Sequence, residues 1–253
     1  MARRPNYGID SPGIVAGLLI AGTLCFASAQ IFPRIFQIHA RWLAWIPAAY
    51  FLAAACGMLV YSKRGKLRHR DRILDSISWR GDERVLDVGC GRGLLLIGAA
   101  HHLHSGTAIG LDRWVPGAVS GNRPAAVIEN AEIDGVARKV TLANGDARQL
   151  PFPDHAFDAV ISNYLLHEVN TAAEREQIAL EIVRVLKPGG HIAIADFIFT
   201  NECAQLLTCA GMQNVRRSRL GGLNFWAGAI FSFGSTQNYV VTGQKPAAAP
   251  PLN

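Results

Sequence analysis

A mostly parallel α/β sheet domain, preceded by a pair of membrane-crossing helices, is the architecture this sequence predicts. Short apolar runs alternate with helix-periodic segments from about residue 85 onward, which is the pattern of a sheet covered by helices on both faces. A glycine-rich turn follows the first of those runs, where such sheets bind ligands. Two long uncharged stretches lie ahead of everything else. Half of the 253 residues are hydrophobic and only 17% are charged, and the apolar excess is concentrated at that N-terminal end.

The stretch between Asp10 and Arg34 holds 23 uncharged residues, and that between Arg41 and Lys63 holds 21. Each suffices for a bilayer core about 30 Å thick. The short connector permits only a tight turn, so residues 11–33 and 42–62 are expected as a transmembrane hairpin. Trp42, Trp45, Tyr50 and Tyr61 accompany its second arm, as interfacial aromatics do. Two other readings stand beside it: a buried soluble hairpin, and a signal peptide ending near Ala27-Ser28-Ala29. Arg3 and Arg4 precede the hairpin, and Lys63, Arg64, Lys66, Arg68, Arg70 and Arg72 follow it. Cations at both ends predict that both termini and the C-terminal domain lie on the cytoplasmic side, and cleavage of the first helix would leave the domain's placement unchanged.

The net charge is +6, but its cations cluster directly after the second apolar stretch. That position fits a juxtamembrane segment (residues 63–80) facing anionic lipid, and no nucleic-acid-binding motif accompanies it. The cysteines form no CxxC pair and no His cluster joins them, so neither a metal site nor a disulfide framework is expected. Cys203 and Cys209 read as small apolar residues on a helix.

Residues 70–78 predict an amphipathic helix, with Ile73, Leu74 and Ile77 on one face. Strands are then expected at 85–88, 107–111, 139–143, 156–162, 191–196, 215–220 and 239–242. Helices are expected at 94–102, 124–134, 172–186 and 202–210. The domain spans 81–243, and the Ala/Pro-rich residues 244–253 predict a disordered tail.

Val85-Leu86-Asp87-Val88-Gly89-Cys90-Gly91-Arg92-Gly93 sits where the first strand turns into a helix. Glycines there allow a tight turn and let a ligand reach backbone N–H groups. Leu94 breaks the GxGxxG spacing of dinucleotide sites. An acid two positions before GxGxG resembles the first motif of class I S-adenosylmethionine (SAM)-dependent methyltransferases, and further pieces match in order. They are Ile109-Gly110-Leu111-Asp112, Gly145-Asp146-Ala147, Pro151-Phe152-Pro153-Asp154 with Phe157-Asp158-Ala159-Val160, Asn163-Tyr164-Leu165-Leu166-His167, and Leu186-Lys187-Pro188-Gly189-Gly190.

The resemblance covers roughly Asp82 to Asp196 and is nearest the branch that includes quinone and lipid methyltransferases. It implies a Rossmann-like sheet whose last strand is antiparallel, and SAM as cofactor. Asp87 would lie near the amino group of SAM, Asp112 on the ribose, and Asp146 and Ala147 on the adenine. Gly89, Cys90, Gly91 and Gly93 would form the cradle, and Asn163 would face the methionine end. Arg92 stands where that branch often has Thr. Asp158 is expected to stabilise a strand entry. Trp114 either flanks the adenosine or fills surface.

Methyl transfer is a displacement that needs alignment, and a base only where the acceptor must lose a proton. His167 and Asp196 are the candidate bases, and His167 equally suits a cap at the helix mouth. Residues 221–233 are long, apolar and aromatic, which suits either a packed element or a lip for an apolar acceptor. The expected function is methyl transfer to a small or lipid-like acceptor. A protein methyltransferase acting near the membrane, and a non-catalytic SAM-binding sensor, stay open beside it.

Overall fold

The computed structural model describes residues 3–35, 41–115, 119–220 and 238–247. Residues 221–233 therefore lie outside the described residues. The two apolar stretches form helices α1 (Pro12–Ile35) and α2 (Trp45–Val60). They pack antiparallel, with Phe26 edge-on to Trp45 at 5.0 Å and Asp10 beside Ser62 at the far end. The first, and the second taken with its continuation to Leu74, are long and apolar enough to cross a membrane by length and composition. Their outer faces are bare: Ile20 is 61% and Leu24 63% exposed.

The second apolar helix does not stop at residue 62 as expected. It runs on through a wider π turn (Tyr61–Gly65) into α3 (Lys66–Leu74), with no breaker to end it. Gly65 is needed inside that turn, because the Tyr61 ring lies where a Cβ would sit. The basic segment is thus helical from Lys63, and its cations divide. Lys63, Arg64, Arg68 and Arg72 are exposed, whereas Lys66 is buried against protein acceptors and is unavailable to lipid.

The sheet has seven strands: β1 (Arg84–Val88), β2 (Thr107–Asp112), β3 (Val140–Asn144), β4 (Phe157–Asn163), β5 (Leu186–Asp196), β6 (Gln213–Arg219) and β7 (Tyr239–Gln244). Their order is β3-β2-β1-β4-β5-β7-β6. Strands β1 to β5 pair in parallel, and β7 runs antiparallel between β5 and β6. Strand β5 begins earlier than periodicity suggests, because Leu186 pairs with Phe157 before a bulge restores register at His191.

Helices α4 (Leu94–His102) and α5 (Pro124–Ile133) cover one face together with α3, burying Ile73, Leu74, Leu96 and Val127. Helices α6 (Ala172–Val185) and α7 (Thr200–Cys209) cover the other, burying Ile178, Ile182, Val185 and Leu207. A reciprocal Thr171–Glu174 capping box starts α6. Cys203 is buried on α7 and Cys209 exposed, in line with their reading as ordinary helix residues. Asp158 accepts from the Arg84 N–H at 2.9 Å and from Lys187 Nζ at 2.8 Å, which clamps the strand entry as expected.

The expected tail starts too early. Gln244 ends β7, and Lys245 Nζ is held by the carbonyls of Val183 and Leu186.

Candidate active site

Strand order reverses between β1 and β4, and the carboxyl ends of the central strands open there on a cleft of about 460 Å³. The turn after β1 carries Gly89, Gly91 and Gly93, with φ of 76°, 53° and 82°. Gly93 is irreplaceable on two counts, because a Cβ there would also meet Val127 at 2.8 Å. Cys90 lines the cleft and turns its buried thiol toward Gly110.

Asp112, at the tip of β2, ties the turn to the sheet. Its Oδ2 accepts from the Gly91 N–H at 2.8 Å, and its Oδ1 from the Trp114 N–H at 2.6 Å. A carboxylate has about four acceptor positions, so each oxygen keeps one for a hydroxyl. Trp114 itself is drawn to Asn144 by its ring N–H and does not line the cleft.

Asp146 and Ala147 line the cleft after β3. Arg148 grips Asp146 with its backbone N–H at 2.9 Å and its guanidinium at 3.0 and 2.6 Å. That grip holds the Asp146 carboxyl down at about 2 and fixes its orientation.

Asp87 lines the cleft but is 1% exposed, and its Oδ2 caps α4 through the Leu96 N–H at 2.9 Å. Burial pushes it up to about 8; the Leu96 N–H opposes this and the Asp112 charge adds to it. Asp87 thus caps α4 from the same wall as the glycine turn.

On the other flank His167 meets Asp196, whose Oδ2 lies 3.3 Å from both the His167 N–H and Nδ1. Asp196 is fully buried, and its Oδ1 accepts from the Phe197 N–H at 2.7 Å. It does not line the cleft, so it is not itself placed to take a proton from an acceptor. Burial lowers the His167 pKa, but the Asp196 contact and its charge outweigh that and leave it raised.

Asn163 lines the cleft, yet its Oδ1 pairs with His69 Nε2 on α3 at 3.0 Å. Tyr164 sits at φ +60° and meets Tyr61 hydroxyl to hydroxyl at 3.0 Å, while its ring stacks on His69 at 5.4 Å. Non-glycine residues in that region mark strain worth holding.

Several cleft residues were not visible from sequence: Tyr7, Asp10, Met58, Tyr61 and Lys66 all line it. They come from the N-terminal segment and the end of the apolar hairpin. Nothing in local periodicity brings residues 7–66 to the strand ends, and Tyr61 reads from sequence only as an interfacial aromatic.

Residues 86–194 match the family model described as "Methyltransferase domain". This segment carries a methyltransferase domain. The resemblance of its motifs implies S-adenosyl-L-methionine as cofactor. The sterol 24-C-methyltransferase erg6 of Aspergillus fumigatus is 29% identical over 160 residues, covering 62% of this chain and 38% of that protein. The demethylmenaquinone methyltransferase of Symbiobacterium thermophilum is 35% identical over 124 residues, covering 49% of this chain and 45% of that protein. The chain spans less than half the length of these curated relatives. Geranyl diphosphate C-methyltransferase of Streptomyces coelicolor A3(2), solved with S-adenosyl-L-homocysteine, shares the fold with a TM-score of 0.58 at 15% identity. That match covers 74% of this chain and 82% of that one.

The residues of the methyltransferase domain fit the cofactor. The glycine turn leaves room where a Cβ would intrude, Asp112 keeps acceptor positions for two hydroxyls, and Asp146 is an ionised acceptor for an exocyclic amine. No cluster of His, Cys, Asp or Glu suited to a metal ion occurs among the described residues.

Proposed function

We propose that this protein is a membrane-anchored methyltransferase that transfers the methyl group of SAM to a small, lipid-like acceptor. One observation carries the reading: the cleft that holds Asp112 and Asp146 is also walled by Met58 and Tyr61, from the end of the apolar hairpin. An acceptor embedded in a bilayer would arrive along that hairpin. The bare apolar faces of α1 and α2 support burial in lipid, since monomers rarely expose patches of that extent. The exposed cations after α2, with Arg3 and Arg4, support a cytoplasmic catalytic domain. The names of the sterol and demethylmenaquinone relatives support an apolar acceptor.

In the proposed cradle Asp112 holds the ribose, Asp146 and Ala147 the adenine, and the turn from Gly89 through Cys90 and Gly91 to Gly93 the methionine chain. Asn163, fixed by His69, borders the reacting end. The cofactor supplies a methyl group already activated on a sulfonium, so the chain's main task is alignment. Where the acceptor carries a proton, His167 accepts it on Nε2, with Asp196 holding Nδ1 and stabilising the resulting cation. Asp196 is then a positioning residue. Phe197, 4.7 Å from the His167 ring, and Tyr164, 6.0 Å from it, shield that proton transfer from water.

The test is incubation of full-length protein with methyl-labelled SAM and native membranes, followed by separation of lipid and protein fractions. Label in the lipid fraction is expected. Label confined to protein would overturn the acceptor class, and S-adenosylhomocysteine binding without any transfer would overturn the enzymatic reading.

A further inference from the structure

Residues 6–10 cross the cofactor end of the cleft before α1 begins, and they are bound on both sides. On the domain side the Asn6 N–H donates to Asn130 Oδ1 at 2.7 Å, and Asn130 Nδ2 donates back to the Asn6 carbonyl at 3.1 Å. Arg92, in the glycine turn, donates through Nε to the same Asn6 carbonyl at 2.7 Å, and through Nη1 to the Ser120 carbonyl at 2.9 Å. The Ile9 N–H donates to Ser120 Oγ at 2.8 Å, and the Ser120 N–H to the Ile9 carbonyl at 3.0 Å.

On the hairpin side Lys66 Nζ donates to the carbonyls of Tyr7 and Gly8 at 2.9 and 2.8 Å, and to Asp10 Oδ1 at 3.1 Å. Ser62 Oγ adds a bond to Asp10 Oδ2 at 3.2 Å. Lys66 is 4% exposed, and its three donors are all used. A buried ammonium is tolerated only with such partners.

Tyr7 and Asp10 face the same cleft as Gly89, Gly91 and Asp112. We propose that residues 6–10 form the closing wall of the cofactor site, with Arg92, Asn130 and Lys66 as the positioning residues that fasten it. This rests on the cleft holding the cofactor. Because Lys66 follows the π turn that continues α2, and Asp10 precedes α1, the wall is continuous with the apolar hairpin. Release of S-adenosylhomocysteine then requires the segment to lift, and the seating of the hairpin governs how readily it does. The departure of Arg92 from the Thr of similar enzymes acquires a reason: a short hydroxyl side chain could not bridge the turn to both Asn6 and Ser120.

The probe is S-adenosylhomocysteine, and the sample is full-length protein in phospholipid nanodiscs. Arg92→Ala and Asn130→Ala should each speed its dissociation by about ten-fold or more, with little change in association rate. Asn130 is 2% exposed and does not line the cleft. Its Nδ2 bonds both the Asn6 carbonyl and, at 3.1 Å, the Arg92 carbonyl of the glycine turn. Lys66 holds the segment without bonding that turn, so Lys66→Met separates the two routes. Arg92→Lys should restore part of the retention, and the double variant should add little to either single one. Lys66→Met releases the segment from the opposite side and decides the matter if the first two variants misfold.

Hydrogen exchange on the wild-type protein gives a second readout. Amides 6–10 should slow when S-adenosylhomocysteine binds, while amides of β1 and β4 stay protected throughout. Dissociation rates within about two-fold of wild type in folded variants would overturn the clasp. So would exchange at 6–10 that ignores the ligand. If wild-type protein binds no S-adenosylhomocysteine, the cofactor site itself falls, and the clasp with it.

Discussion

Replacing Asp112 tests the cofactor cradle most directly. Its two oxygens accept from Gly91 and Trp114 and keep one position each for a ribose hydroxyl. A hydrogen bond to a charged acceptor contributes about 1.5–3 kcal/mol, so two such contacts are worth about 3–6 kcal/mol. At about 1.4 kcal/mol per factor of ten, Asp112→Ala should weaken S-adenosylhomocysteine binding by roughly a hundred-fold to ten-thousand-fold. Asp112→Asn keeps one acceptor oxygen and should lose about half of that free energy, roughly ten- to a hundred-fold. It should also lower stability by about 1–3 kcal/mol, because an amide can satisfy only one of the two backbone donors aimed at it. Isothermal calorimetry on the full-length protein, paired with thermal melts, separates the two effects. Binding of the Asp112→Ala protein within about three-fold of wild type, at an unchanged melting temperature, would refute the cradle.

Other expectations follow from the same geometry. Removing residues 1–62 should abolish transfer to water-soluble as well as membrane-borne acceptors, because Tyr7, Asp10, Met58 and Tyr61 leave the cleft with them; turnover of a soluble acceptor at wild-type rate would count against this. If the acceptor loses a proton to His167, His167→Asn should cut kcat by about a hundred-fold to ten-thousand-fold, and the rate should rise with pH through a histidine value above the usual ~6.5. Asp196→Asn should move that limb to lower pH. The raised His167 also stabilises the fold most below about pH 6.5 and less as pH climbs through its folded value, so Asp196→Asn should depress the melting temperature more at pH 6 than at pH 8, to about the same relative extent as the pairing is charged. Asp87, held up at about 8 in the free protein, should release its proton when the cofactor's ammonium arrives, so affinity should strengthen as pH rises toward that value. Calorimetry in buffers of different ionisation enthalpy checks this by the proton count. Gly93→Ala should lower stability by at least about 1–3 kcal/mol, from its positive φ and the approach of Val127, and an unchanged melt would contradict the turn geometry.

Much of the domain was legible from pattern. The alternation of apolar runs and helical periods located the strands and helices to within a few residues, because each element buries one face and repeats with its own period. The glycine turn, Asp112 and Asp146 were legible because a backbone at positive φ and an acid at a strand end leave local traces in sequence. Lys66 was misjudged for the opposite reason. A lysine beside other cations looks solvated, and only the arrival of Tyr7, Gly8 and Asp10 from 56 to 59 positions away makes burial affordable. Asp196 likewise reads as a candidate base until its burial beneath His167 is known.

By itself, then, the sequence determined the sheet, the glycine turn with the acids at the neighbouring strand ends, and the presence of two long apolar helices, since these depend on short-range periodicity and on residues near one another along the chain. Tertiary structure decided that the second helix runs unbroken into the domain and that the hairpin's inner end walls the cleft with Tyr61 and Met58. It also decided that residues 6–10 are fastened between Arg92 and Lys66. Those contacts join segments far apart in the chain, and no local propensity encodes them.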